Sequence, residues 1–237
     1  MTIFSTLVAM MTFPASSAES ELVERVRGNL ERLRERISAS GRDPSSVRIV
    51  AVTKTFSLSY VNAAAAVGLD TVGENYVEEL CAKRDEVPEV RVRWHYLGAL
   101  QTNKISRILG CADLISGVSR ARELERIASA PRPLYVQVDF TGQSGRNGCA
   151  PSEVAELIAR ARDLALDVRG LMTVAPPDPA GARAAFGSTR RLVDAHGLDE
   201  CSMGMSNDLE IACDEGTSEL RIGRALFGPR DTTVALP

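Results

Sequence analysis

The stretch VRIVAVTKTFSLSYVNAAAAVG, residues 47–68, decides the fold of this chain. Its first part, through the lysine, is rich in β-branched and apolar residues, which is typical of a buried strand. A serine, Ser57 or Ser59, can then cap a helix that runs through 61–67 and stops at Gly68. The stretch is therefore one strand–helix unit.

The same unit repeats along the rest of the chain. Seven more apolar segments span residues 71–75, 92–100, 114–118, 134–140, 168–174, 201–206 and 219–227. Helices are predicted to follow from Tyr76, Thr102, Ser119, Pro151, Pro179 and Asn207, and the last segment contains its own helical turn. Strands that alternate with helices pair in parallel, because each crossover returns the chain to the same end of the sheet. Eight units in 237 residues predict one α/β domain, a single (β/α)8 TIM barrel rather than an open doubly wound sheet.

An amphipathic helix precedes the first unit. Between Glu19 and Ser40 apolar residues recur at helical spacing among charged ones, and Gly41 can end the helix. These apolar residues are Leu22, Val26, Leu30, Leu33 and Ile37. The barrel is therefore expected to carry an additional N-terminal helix.

The first eighteen residues contain no charged side chain. A secretory signal peptide is the alternative interpretation, but the segment lacks a basic beginning and Pro14 interrupts its apolar run. No later segment reaches the roughly 18 apolar residues of a membrane span. We therefore expect residues 1–18 to form a loose N-terminal extension, residues 19–237 to form the barrel domain, and the protein to be cytoplasmic.

The composition indicates a globular chain without a strong charge bias. Apolar residues make up 44% and charged residues 25%, which argues against a disordered, collagenous or coiled-coil chain. The net charge of −3 offers no field to hold nucleic acid or an anionic membrane surface. Five cysteines without a C-x-x-C pair, together with two histidines, predict neither a zinc site nor a disulfide framework.

The chain uses arginine for nearly all of its basic residues. Of 28 basic residues only Lys54, Lys83 and Lys104 are lysines. A lysine kept against this usage is a candidate for chemistry that a guanidinium cannot perform, such as forming a Schiff base. Lys54 closes the first strand, at the barrel end that carries active sites, and desolvation there favours the nucleophilic neutral amine. The alternative is a buried lysine paired with a carboxylate such as Glu74.

Two loops near the end of the chain are suited to binding an anion. The segment SMGMSND, 202–208, leads into a helix, and Gly204 and Ser206 allow a phosphate to approach the first backbone N–H groups. The segment ELRIGRALFG, 219–228, adds Gly223 after the eighth strand. Loops after strands seven and eight are the frequent phosphate site of these barrels. For the first loop an ordinary helix N-cap is the alternative.

Two other polar residues admit a structural interpretation as well as a functional one. Arg221 is expected near the barrel rim, where a surface ion pair with Glu219 or Asp214 is the alternative to a role in the site. His95 on the third strand is expected to be a core residue rather than a catalyst.

Six motifs resemble one known family in the order in which they occur. They are AVTKT around Lys54, GENYVEE at 73–79, HYLGALQTNK at 95–104, RGLMTVAP at 169–176, SMGMSNDLEIA at 202–212 and ELRIGRALFG at 219–228. The chain resembles the pyridoxal phosphate homeostasis proteins, the YggS or PROSC family, which are similar to the barrel domain of alanine racemase standing alone.

The resemblance implies a site for pyridoxal 5′-phosphate (PLP). Lys54 forms the internal aldimine, and Arg221 approaches the pyridine nitrogen, where a fixed guanidinium charge discourages protonation. Ser206 and the backbone amides of Gly223 and Arg224 hold the phosphate. The expected cofactor-binding residues are Lys54, Asn75, Ser206, Arg221, Gly223 and Arg224; no metal ligand and no catalytic residue is expected.

Two arginines depart from the family's pattern. Arg224 stands where many relatives carry a small hydroxyl residue, so only its backbone amide is expected to contact the phosphate. Arg146 stands where relatives often have lysine, and a guanidinium cannot form a second aldimine there.

The resemblance implies a non-catalytic protein of intracellular PLP (vitamin B6) homeostasis that holds PLP as a lysine aldimine. Its expected partners are PLP and the apo forms of PLP-dependent enzymes, with the chain itself a monomer or a weak homodimer. One alternative is a PLP-dependent amino-acid racemase, which needs a second base that alanine racemases take from a second domain. The other is a cofactor-free Schiff-base aldolase for a phosphorylated sugar.

Overall fold

The computed structural model describes residues 17–229, so most of the extension predicted for residues 1–18 lies outside the described residues. Within them, eight parallel strands close into a barrel in chain order, with β8 paired to β1. The predicted (β/α)8 TIM barrel is therefore confirmed. The strands are β1 (Arg48–Val52), β2 (Thr71–Glu74), β3 (Arg93–Tyr96), β4 (Leu114–Val118), β5 (Leu134–Val138), β6 (Val168–Thr173), β7 (Glu200–Ser202) and β8 (Glu219–Ile222). The helices are α1 (Ser17–Ala39), α2 (Leu58–Ala66), α3 (Val77–Glu86), α4 (Ile105–Cys111), α5 (Ala121–Ile127), α6 (Val154–Asp163), α7 (Pro179–Ala195), α8 (Leu209–Asp214) and α9 (Arg224–Phe227), with short 3-10 helices at Pro44–Ser46 and Pro151–Glu153.

Helix α1 packs outside the barrel and begins two residues before the predicted start at Glu19. Its buried side chains are the five predicted from the sequence, Leu22, Val26, Leu30, Leu33 and Ile37. Polar contacts tie the helix to the segments around α8 and α9. Asn29 Nδ2 donates to the carbonyl of Leu226 (2.7 Å), and Arg36 Nη2 donates to the carbonyl of Ser206 (3.1 Å). Helix α1 therefore braces α8 and α9, which adjoin the two predicted phosphate loops.

The outer helices each bury one apolar stripe against the strands. In α6 the buried residues Val154, Leu157, Ile158 and Ala161 recur at intervals of three and four, while the charged residues face outward. This is the pattern of an amphipathic helix on a core. Among residues 17–229 no helix is both long enough and apolar enough to cross a lipid bilayer.

Polar side chains fill part of the barrel interior near the beginnings of the strands. Arg48 Nη1 lies 2.6 Å from Glu200 Oε2 and 3.3 Å from Glu219 Oε2. Tyr135 donates hydrogen bonds to the same two carboxylates. Burial, with the nearby carboxylates, raises the pKa of Tyr135 above its ordinary value, so the phenol stays a neutral donor. These buried groups therefore satisfy one another, as a packed barrel centre requires.

A disulfide joins two neighbouring helices and corrects one expectation. Cys81 of α3 and Cys111 of α4 are bonded, with their Cα atoms 5.3 Å apart. The odd cysteine count and the lack of a C-x-x-C pair predicted no disulfide framework, and for this pair the prediction was wrong. The two residues are far apart in sequence, but successive helices of a barrel lie side by side. The buried thiols are Cys149, Cys201 and Cys213.

Replacing both bonded cysteines with serine (Cys81→Ser with Cys111→Ser) is expected to lower the free energy of unfolding by about 3–4 kcal/mol. The reason is that the cross-link spans 30 residues and restricts the unfolded chain. Urea unfolding in oxidising and in reducing buffer measures the effect. Reductant should bring the wild type to the stability of the double variant and leave that variant unchanged. If reductant leaves the free energy of unfolding of the wild type unchanged, the prediction is contradicted.

Candidate functional site

A cavity of about 510 Å³ opens among the C-terminal ends of the strands. This volume falls in the range of small-molecule sites, and the position is where active sites of such barrels lie. All six residues predicted to bind a cofactor line the cavity: Lys54, Asn75, Ser206, Arg221, Gly223 and Arg224. The structure therefore brings together groups that come from both ends of the chain.

Lys54 lies just beyond the end of β1 and is half-buried. Glu74, the carboxylate considered as its partner, is engaged by other groups, because its Oε1 accepts from Lys83 Nζ (2.7 Å) and from Thr53 Oγ1 (2.6 Å). Burial raises the pKa of the Glu74 carboxyl to about 7, although the Lys83 ammonium opposes this rise. The carboxylate considered as a partner for Lys54 is therefore engaged in an ion pair with Lys83.

Arg221 is buried inside the barrel and not exposed at its rim. Its Nη1 donates to Ser202 Oγ (2.8 Å) and its Nη2 donates to the carbonyl of Thr173 (2.7 Å). Ser202 in turn donates to Glu219 Oε1 (2.7 Å). The surface ion pair considered for Arg221 is therefore wrong, and Asp214 pairs instead with Arg183 (2.8 Å).

Burial affects the pKa of the Arg221 guanidinium. Desolvation lowers the pKa of its guanidinium, and the buried Glu219 carboxylate opposes this effect. An arginine nevertheless keeps its charge at any physiological pH. The cavity therefore contains a fixed cation whose two bonded nitrogens hold it in place.

A hydroxyl and a row of backbone amides converge at the β8 side of the cavity. Ser206 Oγ accepts a hydrogen bond from the amide of Ala225 (3.1 Å), in the first turn of α9. A hydroxyl that accepts this bond still has its own O–H to donate. Gly223 is the N-cap of α9, so the amides that follow it lie at a helix start, where few have partners inside the helix. The Arg224 side chain is exposed.

The turn after β7 requires glycine at one position. Gly204 has φ of +96°, and a Cβ built there would lie 2.5 Å from Ala212 Cβ and 2.6 Å from Leu220 Cδ2. Both a side-chain clash and a left-handed backbone therefore disfavour any other residue. The turn brings Ser206 to the cavity, while Asp208 Oδ1 accepts a bond from the Met205 amide and fixes the loop.

Two amide side chains in the cavity wall were missed by the sequence analysis. Gln137 of β5 and Asn147 of the following loop both line the cavity, and Asn147 Nδ2 donates to Gln137 Oε1 (2.6 Å) and to the carbonyl of Gly117 (3.0 Å). A polar residue at an inward position of an otherwise apolar strand was the available signal for Gln137. Asn147 lies in a glycine-rich loop, where periodicity gives no orientation. Arg146 beside it donates to the carbonyl of Val174 (3.0 Å).

The other basic and aromatic candidates lie outside this cavity. His95 is 2% exposed, its Nδ1 lies 3.7 Å from Glu219 Oε2, and burial lowers its pKa, which confirms the prediction of a core residue. Lys83 is buried behind Thr53, and Lys104 pairs with Glu78 (2.9 Å). Lys54 is therefore the lysine that reaches the cavity among the described residues.

The donor set defines the kind of molecule that fits. An amine, a buried guanidinium and a hydroxyl beside helix-start amides border one space. The amine can attack a carbonyl, the guanidinium can face an acceptor atom, and the amide row suits an oxyanion such as phosphate. These groups match the aldehyde, the ring nitrogen and the phosphate of PLP, so the residues present fit that cofactor.

Comparison with known proteins gives matches over almost the whole chain. Residues 7–231 match the family model described as alanine racemase, N-terminal domain. A protein of Pseudomonas aeruginosa named pyridoxal phosphate homeostasis protein is 37% identical over 223 residues, which cover 90% of this chain and 97% of that protein.

Solved structures agree with this result. PipY of Synechococcus elongatus, solved with PLP bound, is 31% identical and superposes with a TM-score of 0.73, covering 83% of this chain and all of that one. Alanine racemase of E. faecalis has a TM-score of 0.70 at 14% identity, and the match covers 87% of this chain and 58% of the racemase. The second likeness concerns the fold alone.

Proposed function

The chain belongs to the family of pyridoxal phosphate homeostasis proteins, and on that premise we propose that it binds PLP at the barrel mouth and serves in PLP (vitamin B6) homeostasis. The observation that carries the proposal is the cavity itself, in which Lys54, Arg221 and Ser206 border one space of cofactor size. These three come from β1, β8 and the β7 loop, so only the closed barrel unites them.

Each group has a distinct role in the proposed site. PLP supplies, when bound, an aldehyde that links reversibly to an amine. Lys54 is the amine, and its position just past β1 holds the side chain at the cavity. Arg221 would face the ring nitrogen, while Ser206 with the amides of Gly223 and Arg224 would hold the phosphate. Asn75, which directly follows β2, lines the same cavity and would contact the cofactor there.

We further propose that the protein holds and releases the cofactor without catalysing a reaction of its own. A racemase is the alternative, because it needs the same lysine. Two-base racemisation requires an acid–base group on each face of the substrate. Among the described residues lining the cavity, the only carboxylate is Asp208, whose Oδ1 is engaged by the Met205 amide. The residues that line the cavity therefore favour a carrier role over a racemase activity.

The direct test of the proposal is the spectrum and chemistry of the purified protein. Adding PLP should produce visible absorbance that borohydride abolishes, with the label retained on the protein. Mixing the loaded protein with an apo form of a PLP-dependent enzyme should then restore that enzyme's activity. The absence of a reducible link would overturn the proposal, and a link without any release would overturn the carrier role. The cofactor-free aldolase alternative predicts no visible absorbance.

Replacing Ser206 with alanine is expected to weaken PLP retention by about 10- to 150-fold, since a hydrogen bond to a charged acceptor contributes roughly 1.5–3 kcal/mol. The helix-start amides should keep part of the affinity. Equilibrium dialysis measures the change. Ser129→Ala is the control, because Ser129 is exposed at the end of α5 and bonds the carbonyl of Arg126. Equal affinity of Ser206→Ala and wild type would remove Ser206 from the site.

Two further points follow from family membership as predictions. The recipients are apo forms of PLP-dependent enzymes, and the carrier acts as a monomer or a weak homodimer, which light scattering would test. The cytoplasmic location likewise stays a prediction from the sequence, and cell fractionation is its measurement.

A further inference from the structure

Two side chains of helix α3 form hydrogen bonds to the backbone on both sides of Lys54. On one side, Lys83 Nζ donates to the carbonyl of Thr53 (2.8 Å). On the other, the amide of Thr55 donates to Glu79 Oε2 (2.8 Å). Lys83 and Glu79 are bonded to each other as well (2.8 Å), so the two contacts form one unit.

The ammonium of Lys83 is fully satisfied by three acceptors. These are the Thr53 carbonyl, Glu74 Oε1 (2.7 Å) and Glu79 Oε2. An ammonium has three N–H donors on one compact centre, whereas a guanidinium spreads five donors over a plane. The site is nearly dry, since the Lys83 side chain is 10% exposed and that of Glu74 is not exposed at all. This explains why the chain keeps a lysine here although it uses arginine almost everywhere else.

The backbone held in this way is not one that the local sequence prefers. Thr55 has φ of +64°, in the left-handed region that β-branched residues rarely occupy. A residue in such a conformation persists only where its surroundings hold it. The Thr55 amide bond to Glu79 is such a restraint, and it acts on the residue directly after Lys54.

We propose that Glu79 and Lys83 are positioning residues for Lys54, which fix its backbone so that the amine enters the cavity at the angle that a covalent link requires. The proposal rests on the proposed function in that it takes PLP as the ligand of Lys54. It assigns a role to α3, which contributes no residue to the described cavity wall. The disulfide at Cys81 ties the same helix to α4 between the two positioning residues.

The decisive comparison uses two adjacent glutamates of α3. Glu79→Ala removes the acceptor of the Thr55 amide but leaves Lys83 paired with Glu74. Glu78→Ala is the matched control, because the Glu78 side chain is 44% exposed and pairs with Lys104 on the surface. Glu79→Gln is the conservative variant, since its amide oxygen can still accept from Thr55 and Lys83.

Three readouts separate positioning from general destabilisation. The first is the fraction of bound PLP that absorbs as the covalent link at saturation, followed against pH. The second is the rate at which Lys54 of the cofactor-free protein is trace-acetylated, measured against added Nα-acetyl-lysine by mass spectrometry. The third is the affinity for inorganic phosphate, which probes the Ser206 side of the cavity alone. Thermal unfolding checks that each variant is folded.

Glu79→Ala should shift the equilibrium toward unlinked PLP by about tenfold, as expected for a lost hydrogen bond to a charged group. Lys54 should be acetylated severalfold faster, and phosphate affinity should stay at the wild-type value. Glu78→Ala should match the wild type, and Glu79→Gln should recover most of the link. Unchanged linkage and acetylation in Glu79→Ala would overturn the proposal, as would a parallel fall in phosphate affinity. If even the wild type forms no link, the proposed function fails, and the acetylation rates still decide whether Glu79 positions Lys54.

Discussion

Lys54→Ala is expected to abolish the covalent link to PLP completely. The amines of Lys83 and Lys104 cannot replace it, because Lys83 is locked among three acceptors behind Thr53 and Lys104 pairs with Glu78 outside the cavity. Mass spectrometry after borohydride reduction should therefore find the pyridoxyl group on the Lys54 peptide in the wild type and on no peptide in the variant.

Some affinity for PLP should survive in the same variant. Ser206 and the start of α9 follow β7 and β8 and not β1, and they keep an anion site that does not depend on the amine. Lys104→Ala is the control and should link PLP like the wild type. A reduced peptide that carries the label on Lys83 or Lys104 would contradict the assignment of Lys54.

The fold could be predicted because its signals are repeated and local. The five buried residues of α1 were read from spacing alone, and each predicted strand segment overlaps an observed strand. Boundaries were less predictable. The segment 201–206 was predicted as strand, but β7 ends at Ser202 because Gly204 turns the chain with a positive φ. Ala212 and Leu220 leave no room for a side chain at Gly204, and such close packing is not visible in a local sequence pattern.

The candidate site was predictable for a topological reason. Parallel strands bring their C-terminal ends to one edge, so residues that follow different strands converge without any knowledge of side-chain packing. Partnerships between side chains were not predictable in this way. The pairing of Glu74 with Lys83 and the disulfide at Cys81 depend on how α3 sits against β1, β2 and α4. Tertiary contacts of this kind leave no periodic signal.

The position of Arg221 bears on whether the protein could also be an enzyme. Its guanidinium is charged, buried and held by Ser202 and Thr173, so in the proposed pose a cation faces the ring nitrogen. A fixed positive charge discourages protonation of that nitrogen and makes the ring a weaker electron sink. Removal of the α-proton of an amino acid then gains little from the cofactor.

Among residues 17–229, the cavity wall also contains no second base suited to racemisation. The chain has four tyrosines, and none of them lines the described cavity: Tyr60, Tyr76, Tyr96 and Tyr135. Tyr135 is bonded to Glu200 and Glu219 in the barrel interior, and burial raises the pKa of Tyr96 to about 12. Loss of one acid–base group costs a reaction about 10²- to 10⁴-fold. The weaker electron sink and the missing base both slow the same step, the transfer of the α-proton of the amino acid.

We therefore expect the PLP-loaded wild type to convert neither L-alanine nor D-alanine detectably, with chiral chromatography as the measurement and an authentic alanine racemase as positive control. Arg221→Glu introduces a carboxylate that favours a protonated ring, yet it supplies no base opposite Lys54. This variant should therefore show at most slow side reactions. If the wild type racemises alanine and Lys54→Ala does not, the cavity belongs to an enzyme and the carrier role is wrong. If Arg221→Glu alone becomes a racemase, the ring charge is the only barrier, and the argument from the missing second base fails.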